Sequence, residues 1–429
     1  MASEQQTTPA ARTKQMNPAH PMADTIHQRA PEPAAYTYAY YRQALLGRTM
    51  PCAFVDLDLL DQNIRQIARR ANGKRIRVAS KSVRCVALLR RILTADPAIQ
   101  GVMCFTAREA VYLASLGFDD LLIGYPCWHA SDIAAVAKAT AEGGRITLMV
   151  DSVAQVEQIE RVAEQHGVRL PLCLDSDTAA RLPGLHVGAW RSPLRTPEQA
   201  RPVIERIVSS KSVWLDGIMG YEAQIAGVGD HYPGKPLKNA LVGWLKSRSA
   251  REVARRRGEL VELARSLGAK LRFVNGGGTG SMRTTGSESV VTEITVGSGF
   301  YSPGLFDNYR DFRYQPAAGF AIEIVRQAAP HIFTCLGGGY VASGAPGPDR
   351  LPKPYLPEGA RLDKLEGAGE VQTPIHYDGP EKVKVGDPIL LRHAKAGELC
   401  ERFNELLLIS GGEVVDLAKT YRGDGQCFL

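Results

Sequence analysis

Residues 75–84 read RIRVASKSVR, a short alternation of basic and apolar residues that ends on Ser80 and Lys81. A run of this length and pattern is a strand, and its end carries an amine. Working outward, the same kind of run recurs as CAFVDLD (52–58), GVMCFT (101–106), DLLIGYP (120–126), RITLMVD (145–151), LPLCLD (170–175), VWLDGIMGYE (213–222) and KLRFVNGGG (270–278). A ninth candidate is EITVGSG (293–299). Between them lie stretches with a three-to-four-residue apolar period, such as LDQNIRQIARRA (60–71), AREAVYLASLG (107–117) and SVAQVEQIERVAEQHG (152–167). Continuously apolar strands that alternate with helices build a parallel sheet covered on its faces. Eight or nine such strands suit a closed (β/α)8 barrel of the TIM type, with an open doubly wound sheet as the alternative.

Beyond Tyr309 the texture changes. FAIEIVRQA (320–328), HIFTCLGGGYVASG (331–344), PILLRHAK (388–395) and LLLISGGEVV (406–415) are β-like segments among Gly and Pro, and predict a smaller, mostly antiparallel β domain. The expected division is a disordered tail over 1–35, a barrel over 36–312 with a short entry helix in YTYAYYRQALLG (36–47), and a β domain over 313–429.

The composition excludes several classes. Of 429 residues, 44% are hydrophobic and 23% charged, as in an ordinary soluble globular protein. No apolar run reaches the ~20 residues of a membrane helix, and MASEQQTTPA has no secretory core, so a cytoplasmic, membrane-free protein is expected. The eight cysteines form no CxxC pair and read as small buried hydrophobes. The net charge of +7 includes a cluster at Arg251, Arg255, Arg256 and Arg257, expected to be a solvated helix face. Without interleaved aromatics it does not suggest nucleic-acid binding.

In a barrel, functional groups come from the C-terminal ends of strands. That rule selects Lys81, Asp175 with Arg181 after it, Tyr221, and two glycine-rich ends, NGGGTGS (275–281) and GSG (297–299). Loss of solvent at a barrel mouth favours the uncharged, nucleophilic form of an amine. Glycine turns with hydroxyls expose backbone N–H groups to a phosphate. An amine and a phosphate cradle in one mouth form a Schiff-base cofactor arrangement.

PCAFVDLDLLDQNI (51–64), RIRVASKSVR and the late GGGTGS and GSG turns together resemble fold-type III pyridoxal-phosphate enzymes, the alanine racemase superfamily. The closer similarity is to its D-threonine aldolase and D-serine dehydratase branch, over about residues 50 to 425. The resemblance implies pyridoxal 5'-phosphate joined to Lys81, Arg181 at the phenolic oxygen of its ring, Tyr221 beside the ring, and Asn275, Gly278, Thr279, Gly297, Ser298, Gly299 and Tyr301 around ring and phosphate. It also implies a divalent metal, Zn or Mn, near the substrate hydroxyl, held by a histidine and a Cys or Asp two residues later. Here His393 matches the histidine but Lys395 stands at the second position, with Cys400 further on. Two readings stay open: His393 with Cys400, Glu398 or Glu370 keeps the ion, or the Lys395 ammonium replaces it. Glu370, Gln372 and the Gly337–Gly344 turn are further substrate-facing candidates.

The resemblance further implies a homodimer and a lyase acting on D-configured β-hydroxy-α-amino acids. Retro-aldol cleavage to glycine plus an aldehyde comes first, with His393 as candidate base. A D-serine or D-threonine type dehydratase is second, followed by an amino-acid racemase and a non-catalytic cofactor-binding protein.

Overall fold

The computed structural model describes residues 36–429 apart from 183–184. Eight strands close into a parallel barrel: β1 (Arg75–Ala79), β2 (Ile99–Cys104), β3 (Leu121–Pro126), β4 (Ile146–Val150), β5 (Leu170–Asp175), β6 (Val213–Gly220), β7 (Phe273–Gly276) and β8 (Glu293–Val296). The closure runs through β8 and β1, with Thr295 opposite Arg77 and Val296 opposite Val78. Helices follow the strands because the loops supply caps. Thr106, Ser152 and Thr196 each accept an N–H from the first turn of the next helix, and Thr196 with Gln199 completes a capping box.

CAFVD, the first apolar run, is not a barrel strand. Cys52–Asp56 lies in a second, nine-stranded sheet, antiparallel to Ala318–Ala329 and parallel to Glu405–Ser410. EITV takes the eighth barrel place instead. The run is apolar in either setting; what separates the two is its partner, more than 260 positions away along the chain. The other pairings of the second sheet are antiparallel, as expected. The short entry helix is present at Tyr38–Ala44, and its Tyr41 hydroxyl donates to Asp56. The tail over 1–35 lies outside the described residues.

Two layers make the core. Apolar side chains fill the space between barrel and helices, while Leu122, Met149, Cys173, Met219 and Phe273 pack inside the barrel. Deeper in the barrel, Arg77 is fully buried between Glu293 at 2.7 Å and Asp120 at 3.1 Å. All eight cysteines are free and most are buried or half-buried. The arginine cluster divides: Arg251 and Arg255 are exposed as expected. In the helix Pro236–Ser266, Arg256 and Arg257 are buried rather than solvated. Arg256 donates to the carbonyls of Asp177 and Ala179, and Arg257 reaches Glu222 at 3.2 Å. Burial of guanidinium groups is tolerable only with such partners.

Candidate active site

The C-terminal ends of the barrel strands surround a cavity, and Lys81 lies on its wall. After β1 the chain makes a single helical turn, Ser80–Ser82, anchored by the Ser80 hydroxyl on the Met103 carbonyl at 2.9 Å. Lys81 thus projects from the strand end, and its Nζ donates to the Tyr125 hydroxyl at 2.8 Å. Tyr125 sits at the end of β3, 40% exposed, with the Arg191 guanidinium 4.9 Å from its ring centre. Burial alone would push this phenol up. Lys81 and Arg191 outweigh that effect, and it lies below the ordinary tyrosine value. Arg191 is fixed in turn by Asp175 at 2.8 Å. Burial pushes the Asp175 carboxyl up to about 6, with Arg191 pulling the other way.

The two glycine turns form another side of the cavity, lined by Gly277, Gly278, Thr279, Gly297 and Ser298. Behind the first turn stands Glu222, which accepts the Gly277 N–H at 3.1 Å and is itself held by Arg257. Gly277 has φ +83°, and a Cβ there would come within 2.9 Å of Ile294. At Gly297 a Cβ would meet the Ser82 hydroxyl at 2.7 Å. Side chains at these places would collide with the residues packed against the turns. The turns are linked by the Gly299 N–H, which donates to the Thr279 hydroxyl at 3.0 Å. The first N–H groups of the helical turns Thr279–Ser281 and Ser298–Tyr301 have no acceptor within their own turns. Amine, glycine cradle and the Thr279 and Ser298 hydroxyls are a donor set that fits pyridoxal phosphate.

The sequence-predicted residues divide. Lys81, Tyr221, Asn275, Gly278, Thr279, Gly297 and Ser298 all line the cavity. Burial, with Glu222 adding to it, pushes the Tyr221 phenol up to about 12. The Asn275 amide turns away to Glu293 and Thr295, both at 2.8 Å. Gly299 stands one step behind the surface. Tyr301 is buried in the core, and its hydroxyl donates to the Val83 carbonyl at 3.0 Å, so its side chain holds the chain just after Lys81 and does not line the cavity. Arg181 lies in the hairpin Ala180–Leu182 with Leu185–Val187, and its side chain is outside the described ones.

The cavity opens into an outer chamber that shares Lys81, Ser82, Tyr221 and Ser298 and adds Lys395, Glu398, Asp349 and Arg350. Lys395 donates to the Ser343 hydroxyl at 2.9 Å and stands 3.7 Å from Glu398. His393 lines neither space. It is buried, its Nδ1 accepts the Lys395 N–H at 3.1 Å, and burial pushes its pKa down. Cys400 is also buried, and its thiol donates to the Val83 carbonyl at 3.3 Å. Burial raises that thiol far above its ordinary value. The expected His393–Cys400 metal pair is therefore corrected: each side chain is committed to backbone. Among the described residues no three His, Cys, Asp or Glu side chains converge as a metal site. This donor set does not fit a divalent ion.

Sequence reasoning missed Tyr125 and Arg191. Tyr125 follows the strand-end rule already applied to Lys81, and GYP could have been read the same way. Arg191 comes from the long segment after β5 with no periodic signal.

With this geometry in place, the chain can be assigned to a class. The family described as alanine racemase, N-terminal domain, matches residues 55–301, more than half of the chain, and the protein belongs to it. Membership supports pyridoxal phosphate as the cofactor. Among curated proteins, the chain is similar to the 3-hydroxy-D-aspartate aldolase of Paracoccus denitrificans (strain Pd 1222), 23% identical over 292 residues, covering 66% of this chain and 70% of that protein. Among solved structures it resembles D-threonine aldolase from Filomicrobium marinum (TM-score 0.75, 18% identity, 87% of this chain and 95% of that one). It also resembles D-threo-3-hydroxyaspartate dehydratase from Delftia sp. HT23 (TM-score 0.69, 19% identity, 88% and 98%). These structural likenesses extend the shared fold beyond the barrel to the second sheet. Among the described residues no helix is long and apolar enough to cross a membrane.

Proposed function

We propose that the protein is a pyridoxal-phosphate-dependent lyase that splits β-hydroxy-α-amino acids of D configuration into glycine and an aldehyde. The observation that carries this reading is the Lys81 amine in one cavity with two glycine turns, opening into a polar chamber large enough for an amino acid. The names of the curated relatives and of the Filomicrobium structure support the aldolase direction.

Pyridoxal phosphate, when bound, supplies an electron sink for the bond broken at Cα. The chain supplies the rest. Lys81 would supply the amine that holds the cofactor. Gly278, Thr279, Gly297 and Ser298 hold the phosphate through N–H and hydroxyl groups. Tyr221 would pack beside the ring, and Arg191, on the cavity wall, would meet the ring's phenolic oxygen, the role that the resemblance implied for Arg181. Lys395 would place its ammonium in the outer chamber, where it stabilises negative charge developing on the substrate oxygen. His393, with its ring on the Lys395 backbone, positions that loop and is not the base. No step is assigned to a metal, because the donor set does not fit one. Exhaustive chelation should leave activity within about twofold, since electrostatic stabilisation here comes from a fixed side chain.

We also expect a homodimer. Trp128 and Trp190 are 60% and 82% exposed, next in sequence to the site residues at Tyr125 and Arg191, and a second subunit would cover them.

Product analysis by mass spectrometry after incubation with D-threonine and D-3-hydroxyaspartate tests the reading. Glycine plus the matching aldehyde is the expected result. A 2-oxo acid would make the protein a dehydratase, as the Delftia neighbour is named.

A further inference from the structure

We infer that Tyr125 is a catalytic proton carrier for Lys81, taking the proton from Nζ so that the amine can bond to the cofactor aldehyde. The inference rests on the reading that Lys81 is the cofactor-linking residue, and adds a second group to that step.

The Tyr125 hydroxyl is 2.8 Å from Nζ, hydrogen-bond distance for direct transfer. The charged and titratable groups facing this pair come from several elements. Arg191 stands over the Tyr125 ring, but a guanidinium cannot accept a proton. Asp175, at the end of β5, is buried and has one oxygen on Arg191, and Asp151, after β4, lies behind the same guanidinium. Tyr221, at the end of β6, is held in its phenol form by burial and Glu222. Arg84 donates to the Lys81 carbonyl and pairs with Glu401. Lys395 and Glu398 are occupied with each other and with Ser343. Among the described residues, Tyr125 is the acid–base group in contact with Nζ, and the two cations beside it favour its ionised form.

The step balances without any further reactant. The Lys81 ammonium gives one proton to the Tyr125 phenolate. The freed lone pair forms the carbon–nitrogen bond to the aldehyde carbon, and the carbonyl oxygen leaves as water with the two remaining amine protons. When a substrate amine displaces Lys81, the same phenol returns a proton to Nζ.

Full-length protein freed of cofactor and re-supplied with pyridoxal phosphate provides the test, with bond formation followed by absorbance over a range of pH. In Tyr125→Phe, the ring and its contact with Arg191 remain. The rate near neutral pH should fall about tenfold or more, with the rise in rate displaced to higher pH and recovery under alkaline conditions. An unchanged pH–rate profile would overturn the inference, as would weaker cofactor binding without displacement of the profile, which is what a packing role predicts. An ultraviolet titration gives an independent check: the wild type should show one phenol ionising ahead of the others, absent in Tyr125→Phe. Borohydride trapping and peptide mapping of the wild type separate this from the broader reading. A wild type with no cofactor on Lys81 would refute the functional assignment itself, whereas trapped cofactor with an unmoved profile would refute only the role of Tyr125.

Discussion

Arg77 and Lys81 are two cations four positions apart, one within β1 and one just beyond its end, and they meet opposite surroundings. Arg77 points into the barrel, where Glu293 and Asp120 surround it and Phe273 lies 5.3 Å from its guanidinium. Lys81 stands past the strand end, where the nearest partner is a phenol rather than a carboxylate. A guanidinium enclosed by acids stays protonated, and its forked donors tie three strands together. The Lys81 amine has a phenol as its hydrogen-bond partner and no carboxylate enclosing it. The same strand therefore holds the barrel together at one level and presents a nucleophile at the next.

The largest effect is expected at Lys81. Lys81→Ala should lower glycine formation from D-threonine by more than about a thousandfold, with the folded state intact by thermal melting. A variant retaining a tenth of the activity would show that the amine is not the nucleophile. Arg77→Met should act on stability instead. It leaves Glu293 and Asp120 without their central cation and should cost about 3–5 kcal/mol in denaturant unfolding. A midpoint that does not move would mean the acids find other partners, with Arg272 as the candidate at 2.8 Å from Asp120.

Glu109 sharpens the contrast from the acid side. It is buried like Glu293, yet its partners are the Phe105 N–H and the Tyr421 hydroxyl rather than an enclosing cation. Burial pushes its carboxyl up to about 7. The folded state thus holds a proton that the unfolded chain has released, so stability falls as pH rises from the ordinary carboxylate range towards 7. Melting curves should show this slope, and Glu109→Gln should flatten it. The smallest expected effect is at Tyr301. Tyr301→Phe removes the hydrogen bond to Val83 and should cost about 1 kcal/mol, with cofactor affinity within about twofold of wild type. A large loss of cofactor would restore the phosphate-binding reading.

The contrast also explains what could be read in advance. Strand ends are visible as the points where apolar alternation stops, so Lys81, Tyr221 and the two glycine turns were all legible and do share one cavity. Whether a side chain beyond a strand end points in or out depends on tertiary contacts. The side chains of Tyr301 and Cys400 are turned to the Val83 carbonyl and that of His393 to the backbone of its own turn, which the residue types alone do not reveal. Arg191 was invisible because its position is set by an ion pair to Asp175 rather than by any local pattern. CAFVD was assigned to the wrong sheet because apolar strands look alike until their partners are known.

That last strand has a consequence for biosynthesis. Cys52–Asp56 leaves the ribosome before any barrel strand, but the segments it pairs with begin at Ala318 and Glu405. At typical elongation rates of about 5–20 residues per second, it waits roughly 15–50 s for its first neighbour. During that interval the barrel can assemble, while an apolar strand edge stays open to other nascent chains or to a chaperone.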